Sequence, residues 1–382
     1  MTRSSHPLRR IVIWTAVVIA LAAAGYVVAK TKRDFWDFEV YRTAGARALR
    51  AEPLYRAEDG HYQFKYWPAF AFAMIPFAVI GDEAAQITWY AVSIALLALF
   101  IRQSIRALPD RRATPTVLVW WTLFLTAKFI VRELVNGQTN ILLGVLVMAA
   151  LVASNARRDV RAGVFAGLAV FVKPYALLFL PWLVASRGIR VGVVAGAVVA
   201  AGLLAPALGY GWYGGIDLLK AWYQTVTETT TENLTFPENI SFAAMWAKWL
   251  GPGVVASFLA LATAAAALAL AAGLWLRREN VRAPEYLEVS YLLMLVPLIS
   301  PQGWDYVLLL GIPAIVCVVD RFRGQPRLWR LWTAAGLALT SLTIYDLIGR
   351  TAYYWLMGVS AISVGALLVA VSLFSLRVRA AA

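Results

Sequence analysis

The sequence contains the run IVIWTAVVIALAAAGYVVA at residues 11–29. This run has no charged side chain and is close to the roughly 20 apolar residues that a helix needs to cross a bilayer. Arginines precede it and Lys30-Thr31-Lys32-Arg33 follows it, with no clear small-residue cleavage site after the run. We therefore expect a retained first membrane helix whose N-terminus lies in the cytoplasm.

The whole chain has the composition of an integral membrane protein. Of its 382 residues, 61% are hydrophobic and 15% are charged, and the mean hydropathy is +0.68. Soluble domains carry about 25% charged residues. The net charge of +14 could suggest nucleic acid as a partner, but the Lys and Arg lie in short clusters between apolar runs, as in cytoplasmic loops. We expect membrane lipid and no nucleic acid as partners.

The positive-inside rule predicts the topology. Placing every basic cluster in the cytoplasm gives a single all-α polytopic domain over residues 1–382, with about eleven or twelve membrane helices and both termini inside. The apolar stretches after the first lie near residues 67–81, 85–101, 115–131, 139–153, 162–185, 191–208, 253–276, 286–300, 304–319, 331–348 and 353–376.

Two of these stretches do not fit a simple span. Residues 67–81 are short and contain Pro68 and Pro76, which favours a re-entrant or surface-lying element. Residues 162–185 start and finish inside, and Lys173-Pro174 interrupts them. Two short helices meeting at Lys173 would satisfy the topology, with the irregular backbone shielded by protein or lining a cavity.

The non-cytoplasmic side collects most of the unusual polar residues. It contains a first outer loop at 30–66, with an interfacial helix, and a second long outer loop at 209–252. The Thr-rich centre of the second loop, residues 225–235, is predicted to be mobile. A functional site, if the chain has one, is expected on this outer side.

Asp37 is the first candidate for chemistry. Residues 37–50 have the pattern of an amphipathic helix at the interface, and Asp37 stands at its N-terminus, where the helix dipole favours an ionised carboxylate. The carboxylate could serve as a general base or only as a helix cap, and Asp34 could fill the same position.

Three cations call for an anionic partner. Lys128 and Arg132 are one helical turn apart, and Lys173 lies between apolar residues at the predicted break. A phosphate held by these side chains is one interpretation. Snorkelling to the outer surface is the alternative for Arg132 and, less so, for Lys128, and a nearby carboxylate is the alternative counter-charge for Lys173.

Other polar and aromatic residues of the outer segments could hold a sugar or an acceptor, although a headgroup interface or an ordinary polar turn explains them as well. Cys317 is the only cysteine, only His6 and His61 are histidines, and no nucleotide-binding motif occurs, so neither a cofactor nor a metal is expected. The candidate sugar and acceptor residues are Tyr41, Lys65, Tyr66, Asn136, Gln138, Asn140, Asn239, Trp304 and Asp305.

Short motifs in order along the chain resemble glycosyltransferase family 87, of the GT-C superfamily. The likeness covers about residues 30–310. The family includes mycobacterial mannosyltransferases that use polyprenyl-phosphate mannose. The motifs are Asp37-Phe-Glu-Val-Tyr41, Tyr66-Trp-Pro68, Asn136-Gly-Gln138-Thr-Asn140, Gly167-Leu-Ala-Val-Phe-Val-Lys173-Pro174, Asn239-Ile-Ser241 and Ser300-Pro301.

This resemblance implies a bundle of many helices with an extracytoplasmic cavity, in the cytoplasmic membrane of a bacterium. It implies transfer of a sugar, by family habit mannose, from polyprenyl phosphate to a hydroxyl of a glycolipid or glycan, with inversion. Asp37 would be the general base, and Lys128, Arg132 and Lys173 would stabilise the leaving phosphate without a metal.

One departure from the family pattern concerns the residues after the Ser-Pro turn. Members commonly carry a histidine there, whereas this chain has Asp305 and Tyr306. Because an acidic side chain repels phosphate, Asp305 is expected to face the sugar or the acceptor. A transporter or flippase of a lipid-linked sugar is the main alternative, although no internal repeat favours it; a non-catalytic scaffold is a third.

Overall fold

The computed structural model describes residues 35–281 and 283–381. All regular elements in these ranges are helical, and the one strand-like feature within them is an isolated bridge between Asn239 and Trp304. The predicted all-α membrane architecture is confirmed. The predicted first membrane helix at 11–29, and Asp34, lie outside the described residues.

The N-terminal part of the described chain forms short helices around one aromatic cluster. Helix α1, Trp36–Leu49, buries Phe38 and Tyr41, one turn apart, as the amphipathic pattern predicts. Met74 separates α2, Pro68–Ala73, from α3, Ile75–Val79. Helices of six and five residues are too short to cross a bilayer.

The rest of the described chain is a succession of helices of 9 to 26 residues, apart from the four-residue α16, joined by short connections. These are α4 (Asp82–Ala107), α5 (Pro115–Asn136), α6 (Asn140–Asn155), α7 (Asp159–Val172), α8 (Phe179–Arg187), α9 (Ile189–Leu204), α10 (Ala207–Glu232), α11 (Phe242–Leu250), α12 (Val254–Leu276), α13 (Glu285–Ile299), α14 (Ile312–Arg321), α15 (Arg327–Ser341), α16 (Tyr345–Ile348), α17 (Arg350–Gly358) and α18 (Ala361–Ala381). Single 3-10 segments occupy Ala57–Tyr62, Pro174–Leu178, Arg278–Asn280, Asp305–Gly311 and Phe322–Gly324.

Three helices in the described ranges are long and apolar enough to cross a membrane: α4, α12 and most of α18. Two sharply bent pairs, α5–α6 at 115° and α9–α10 at 91°, raise the number to five if each pair is one span. The predicted count was eleven or twelve. Several of the predicted apolar stretches instead form helices too short to count alone, such as the 14 residues of α7.

The predicted break at Lys173 is present. Helix α7 ends at Val172, Lys173 has an extended backbone (φ −152°, ψ 131°), and Pro174 opens a 3-10 turn that leads into α8. A residue before proline is driven out of the helical region by the proline ring. The Lys-Pro dipeptide therefore explains both the break and the place of the lysine.

The prediction of a mobile loop at 225–235 was wrong for most of that segment. Helix α10 continues to Glu232, with a kink at Gly211. The hydroxyl of Thr227 donates to the carbonyl of Tyr223 (2.7 Å), and that of Thr229 donates to the carbonyl of Thr225 (2.8 Å). The hydroxyls of these threonines are thus satisfied by carbonyls of their own helix, so both side chains can lie within α10.

Candidate active site

Gln138 is the centre of a group of polar side chains at the junction of α5 and α6. It is 6% exposed. Its Nε2 donates to Oδ2 of Asp37 (2.7 Å) and to the hydroxyl of Tyr306 (3.1 Å). Its Oε1 accepts from Nζ of Lys173 (3.3 Å) and lies within hydrogen-bond distance of the hydroxyls of Tyr41 (3.3 Å) and Tyr66 (3.4 Å), of which one can donate to it while the other donates to its fellow tyrosine. We call these residues the Gln138 cluster: Asp37, Tyr41, Tyr66, Gln138, Lys173 and Tyr306.

The turn that presents Gln138 requires glycine before it. Gly137 ends α5 in the left-handed conformation (φ 69°, ψ 34°). A Cβ at this position would come within 2.7 Å of Cβ of Phe38. The indole of Trp89 donates to the carbonyl of Gly137 (2.9 Å). Backbone conformation, the close approach of α1 and this hydrogen bond together fix the direction in which Gln138 leaves the turn.

A fully buried carboxylate, Glu133, supports the same turn. Its oxygens accept from Nδ2 of Asn140 (2.7 Å) and from the backbone N–H of Ile141 (3.0 Å), so it caps the N-terminus of α6. The hydroxyl of Tyr175 donates to Oδ1 of Asn140 (3.3 Å). The structure thus places Asn140, a predicted sugar contact, in this supporting network and not in the Gln138 cluster.

Asp37 has the environment of a base that is held partly out of water. Burial raises the pKa of its carboxyl above the ordinary 3.8, while the hydrogen bond from Gln138 and then the charge of Lys173 act in the opposite direction. The sequence predicted that the helix N-terminus would favour the ionised form, but desolvation dominates. Oδ2 is bonded to Gln138, and no described residue donates to Oδ1.

Two of the three tyrosines of the cluster, Tyr41 and Tyr66, remain neutral hydroxyls. Tyr41 and Tyr66 are hydrogen-bonded to each other through their oxygens (2.7 Å), and burial raises the pKa of both phenols. The ammonium of Lys173 lies 5.8 Å from the ring centre of Tyr66. The aromatic residues therefore surround the carboxylate and the cation with groups that donate hydrogen bonds without carrying charge.

Helix α10 packs over the segment that carries Tyr66. The indoles of Trp67 and Trp222 are stacked with their ring centres 4.1 Å apart, and Nε1 of Trp222 donates to the carbonyl of Lys65 (3.1 Å). The charge of Lys65 also lowers the pKa of Asp37. Lys65 thus lies near enough to the cluster for its charge to act on Asp37, and its contact with a sugar or an acceptor stays a prediction.

The other predicted cations have protein partners. Nη1 of Arg132 donates to Oδ1 of Asp305 (2.6 Å), and the guanidinium lies 5.4 Å from the ring centre of Tyr306. Nζ of Lys128 donates to the carbonyl of Thr343 (3.0 Å). Lys173 therefore belongs to the Gln138 cluster, Arg132 adjoins it through Tyr306, and Lys128 bonds to another part of the chain.

Asp305 is 3% exposed, so the carboxylate that was expected to face a sugar lies buried beside Arg132. Sequence spacing gave no indication of this pair, which joins residues 173 positions apart. Tyr306 was not predicted as a site residue, yet it is part of the Gln138 cluster.

The remaining predicted contacts lie outside the cluster. Asn239 is buried, and its Nδ2 donates to the carbonyls of Asn233 (3.0 Å) and Pro301 (2.8 Å). Trp304 pairs with Asn239 through the isolated bridge. Asn136 ends α5 and is half-buried, with no hydrogen bond from its side chain to the cluster among the residues described. These residues shape the segments beside the cluster.

A search of residues 35–281 and 283–381 finds no group of three or more His, Cys, Asp or Glu side chains placed to hold a metal ion.

Comparison with known families gives one match. The sequence model of glycosyltransferase family 87 matches residues 64–301, more than half of the 382-residue chain. The matched range includes Tyr66, Gln138 and Lys173, while Asp37 precedes it and Tyr306 follows it. No match was found among curated proteins. The polar cluster described above thus belongs to a membrane protein of known enzymatic class, and the chain is a member of glycosyltransferase family 87.

Proposed function

We propose that this membrane glycosyltransferase transfers a sugar, mannose by the family's habit, from a polyprenyl-phosphate donor to a hydroxyl of a glycolipid or glycan acceptor. The reaction takes place on the extracytoplasmic side of a bacterial cytoplasmic membrane and inverts the anomeric configuration. A lipid-linked donor suits that side, where nucleotide sugars are not normally available.

The observation that carries this proposal is that a carboxylate and a cation converge on one side chain. Asp37 and Lys173 both bond to Gln138, through its Nε2 and its Oε1 respectively. An inverting transfer needs a base for the acceptor hydroxyl and positive charge for the departing phosphate. The Gln138 cluster supplies both in one place.

In the proposed step, the acceptor oxygen attacks the anomeric carbon and forms the new glycosidic bond. The bond between that carbon and the phosphate oxygen breaks, and polyprenyl phosphate leaves with the electron pair. The hydroxyl proton passes to Asp37, whose Oδ1 accepts from no described residue. Attack from the face opposite the phosphate inverts the configuration.

Lys173 stabilises the leaving phosphate, because an ammonium in a water-poor site interacts strongly with developing negative charge. Arg132, which is paired with Asp305, lies beside Tyr306, and Lys128 lies one turn earlier in α5; both are proposed to assist Lys173. Sugar and acceptor contacts are proposed for Tyr41, Lys65, Tyr66, Asn136 and Trp304.

Transfer from radiolabelled polyprenyl-phosphate mannose tests this proposal directly. Purified chain in nanodiscs is given the donor with a lipid extract of the host, and products are separated by thin-layer chromatography. Asp37→Asn is expected to abolish product formation while retaining donor binding. Asp217→Asn, an exposed carboxylate of α10, is the matched control and should behave as wild type.

Unchanged turnover in Asp37→Asn would refute the role of the base. If wild type gives no product with a mannose donor or with a pentose donor, the proposed donor class is wrong. Transport of a lipid-linked sugar would then be measured in sealed vesicles.

A further inference from the structure

A cavity lies away from the Gln138 cluster, where the connections after α4, after α12 and after α14 come together. Its volume is about 290 Å³. Two arginines and a tyrosine share its lining with leucines from three different elements. The residues used below are Leu108, Arg112, Tyr286, Leu287, Arg321 and Leu376. We call it the basic cavity.

The basic cavity and the Gln138 cluster are at opposite ends of α5. Arg112 lies just before the first residue of this helix, Pro115, and Gln138 just after its last residue, Asn136. A helix of 22 residues is about 33 Å long at 1.5 Å per residue, close to the roughly 30 Å of a bilayer's hydrocarbon core. The two sites are therefore separated by the length of α5. The basic cavity begins at Leu108, directly after the last residue of α4, and because α4 is long and apolar enough to cross a membrane, the cavity lies near one membrane surface.

Hydrogen bonds between distant parts of the chain hold the rim of the basic cavity together. Oδ1 of Asp320 accepts from the backbone N–H groups of Arg112 (2.8 Å) and Ala113 (2.7 Å). Nη2 of Arg321 donates to the carbonyl of Pro109 (2.7 Å). These bonds attach the connection between α4 and α5 to the end of α14. The position of Arg112 is thus fixed by contacts that span more than 200 residues of sequence.

Arg112 is the charged group available to a ligand. Its guanidinium forms no hydrogen bond with any residue in the described part of the chain, whereas Arg321 is bonded to Pro109 and lies beside Asp320. The absence of a side chain at Gly324 leaves room for the guanidinium of Arg112, because a Cβ at residue 324 would come within 2.5 Å of its Nη1.

The surroundings are positively charged overall. Residues 102–112 contain four arginines and one aspartate as their charged residues. Residues 320–330 also contain four arginines and one aspartate. Asp110 also lines the cavity, so the lining is not uniformly positive. The position of a bound anion would therefore be set by Arg112. Leu108, Leu287 and Leu376 provide an apolar surface next to this charge. A ligand that matches both features has a phosphate and an apolar portion.

We propose that the basic cavity binds the phosphate-bearing headgroup of an anionic phospholipid from the leaflet at that surface. Basic pockets between membrane helices are a recognised site for such headgroups. Arg112 contacts the phosphate, and the leucines contact the glycerol and the first part of the acyl chains. This site is independent of the proposed sugar transfer and lies at the other end of α5 from the Gln138 cluster.

Native mass spectrometry of the full chain tests the proposal, with phosphatidylglycerol, phosphatidylcholine or inorganic phosphate added to detergent-purified protein. Retention of phosphatidylglycerol in preference to phosphatidylcholine is expected. Arg112→Gln should weaken that retention about tenfold, the effect of losing one charge-assisted contact. Arg111→Gln is the matched control: Arg111 is the exposed neighbour that does not line the cavity, and its loss should change retention little.

A second variant tests the same site without removing a charge. Gly324→Val would push the guanidinium of Arg112 aside and narrow the cavity, so phosphatidylglycerol retention should fall while thermal unfolding in lipid-free detergent stays as in wild type. Equal retention of both lipids, or an Arg112→Gln variant that retains phosphatidylglycerol as wild type does, would overturn the proposal. Binding of inorganic phosphate with no preference for the lipid would show that the source is a free anion.

Discussion

Gln138 links the protonation of Asp37 to the charges around it. Its amide nitrogen donates to the carboxylate, and its amide oxygen accepts from Lys173, so one side chain holds the proposed base beside the proposed phosphate ligand. The sequence identified Asp37, Gln138 and Lys173 as unusual polar residues. It could not reveal that they touch, because the contacts join positions up to 101 residues apart.

Replacing Gln138 should move the acid limb of the pH profile. The hydrogen bond from Gln138 lowers the pKa of Asp37, so Gln138→Met, which keeps the length of the side chain, raises it further. A base is active only when ionised. The rate should therefore fall at a higher pH as the solution is acidified, and kcat/KM measured against pH reports the midpoint.

Asn136→Ala is the control for this experiment, since Asn136 lies two residues from Gln138 and does not bond to the cluster. Its acid limb should stay at the wild-type pH. An unmoved midpoint in Gln138→Met would mean that another group controls the rate.

Lys173 should affect the donor more than the acceptor. Lys173→Met removes the ammonium but retains an apolar side chain of similar length at the break between α7 and α8. Loss of one hydrogen bond to a charged group corresponds to roughly a tenfold to hundredfold change in affinity. Equilibrium binding of the polyprenyl-phosphate donor should weaken by that amount, with little change in the KM for the acceptor.

Lys220→Met on α10 is the matched control, because Lys220 is exposed and pairs only with Asp217 in the described structure. If Lys173→Met and Lys220→Met bind the donor equally well, Lys173 does not contact the phosphate.

At the level of secondary structure, sharp changes of direction place the polar groups. The 115° bend between α5 and α6 presents Gln138, and the break after α7 presents Lys173. The Lys173-Pro174 dipeptide predicts the break after α7 from the sequence, since proline restricts the residue before it. Helix α10 was missed because glycines and threonines are weak helix formers, and composition does not show that the hydroxyls of Thr227 and Thr229 bond to carbonyls of their own helix.

Gly137→Ala should damage the bend between α5 and α6. Its left-handed backbone disfavours a side chain, and Phe38 occupies the space that a methyl group would need. The combined cost is expected to be about 1–3 kcal/mol. Thermal unfolding in detergent should show a lower Tm, and transfer should slow because Gln138 is displaced.

Gly196→Ala in α9 provides the comparison. No heavy atom lies within 4 Å of a Cβ at this helical position, and alanine favours helix over glycine by roughly 1 kcal/mol, so its Tm should equal or exceed that of wild type. A Gly137→Ala variant as stable as Gly196→Ala would contradict the account of the bend.

For the whole molecule, composition sufficed to predict an all-α membrane protein, because the apolar runs are far more frequent than in a soluble chain. The number of spans could not be predicted in the same way. Short, bent and broken helices resemble full spans in hydropathy, and only their three-dimensional course distinguishes them. Pairs such as Arg132 with Asp305 depend on that course as well.

The predicted orientation can be measured with single cysteines. Cys317, the only cysteine, is replaced by alanine. Glu58→Cys in the first outer loop and Arg158→Cys between α6 and α7 are then introduced separately at exposed positions. A membrane-impermeant maleimide should label Glu58→Cys in intact cells, and Arg158→Cys only after permeabilisation. The reverse pattern would place the Gln138 cluster on the cytoplasmic side.

The buried position of Asn239 has a consequence for producing the protein in eukaryotic cells. Asn239-Ile-Ser241 matches the acceptor pattern for N-glycosylation. In the folded chain, both amide hydrogens of Asn239 are donated to backbone carbonyls, so the nitrogen is not accessible to an oligosaccharyltransferase. A glycan attached before folding would prevent those contacts with Asn233 and Pro301. Material from such a host that carries a glycan at Asn239 is therefore expected to be misfolded, and the unglycosylated fraction is the one to purify.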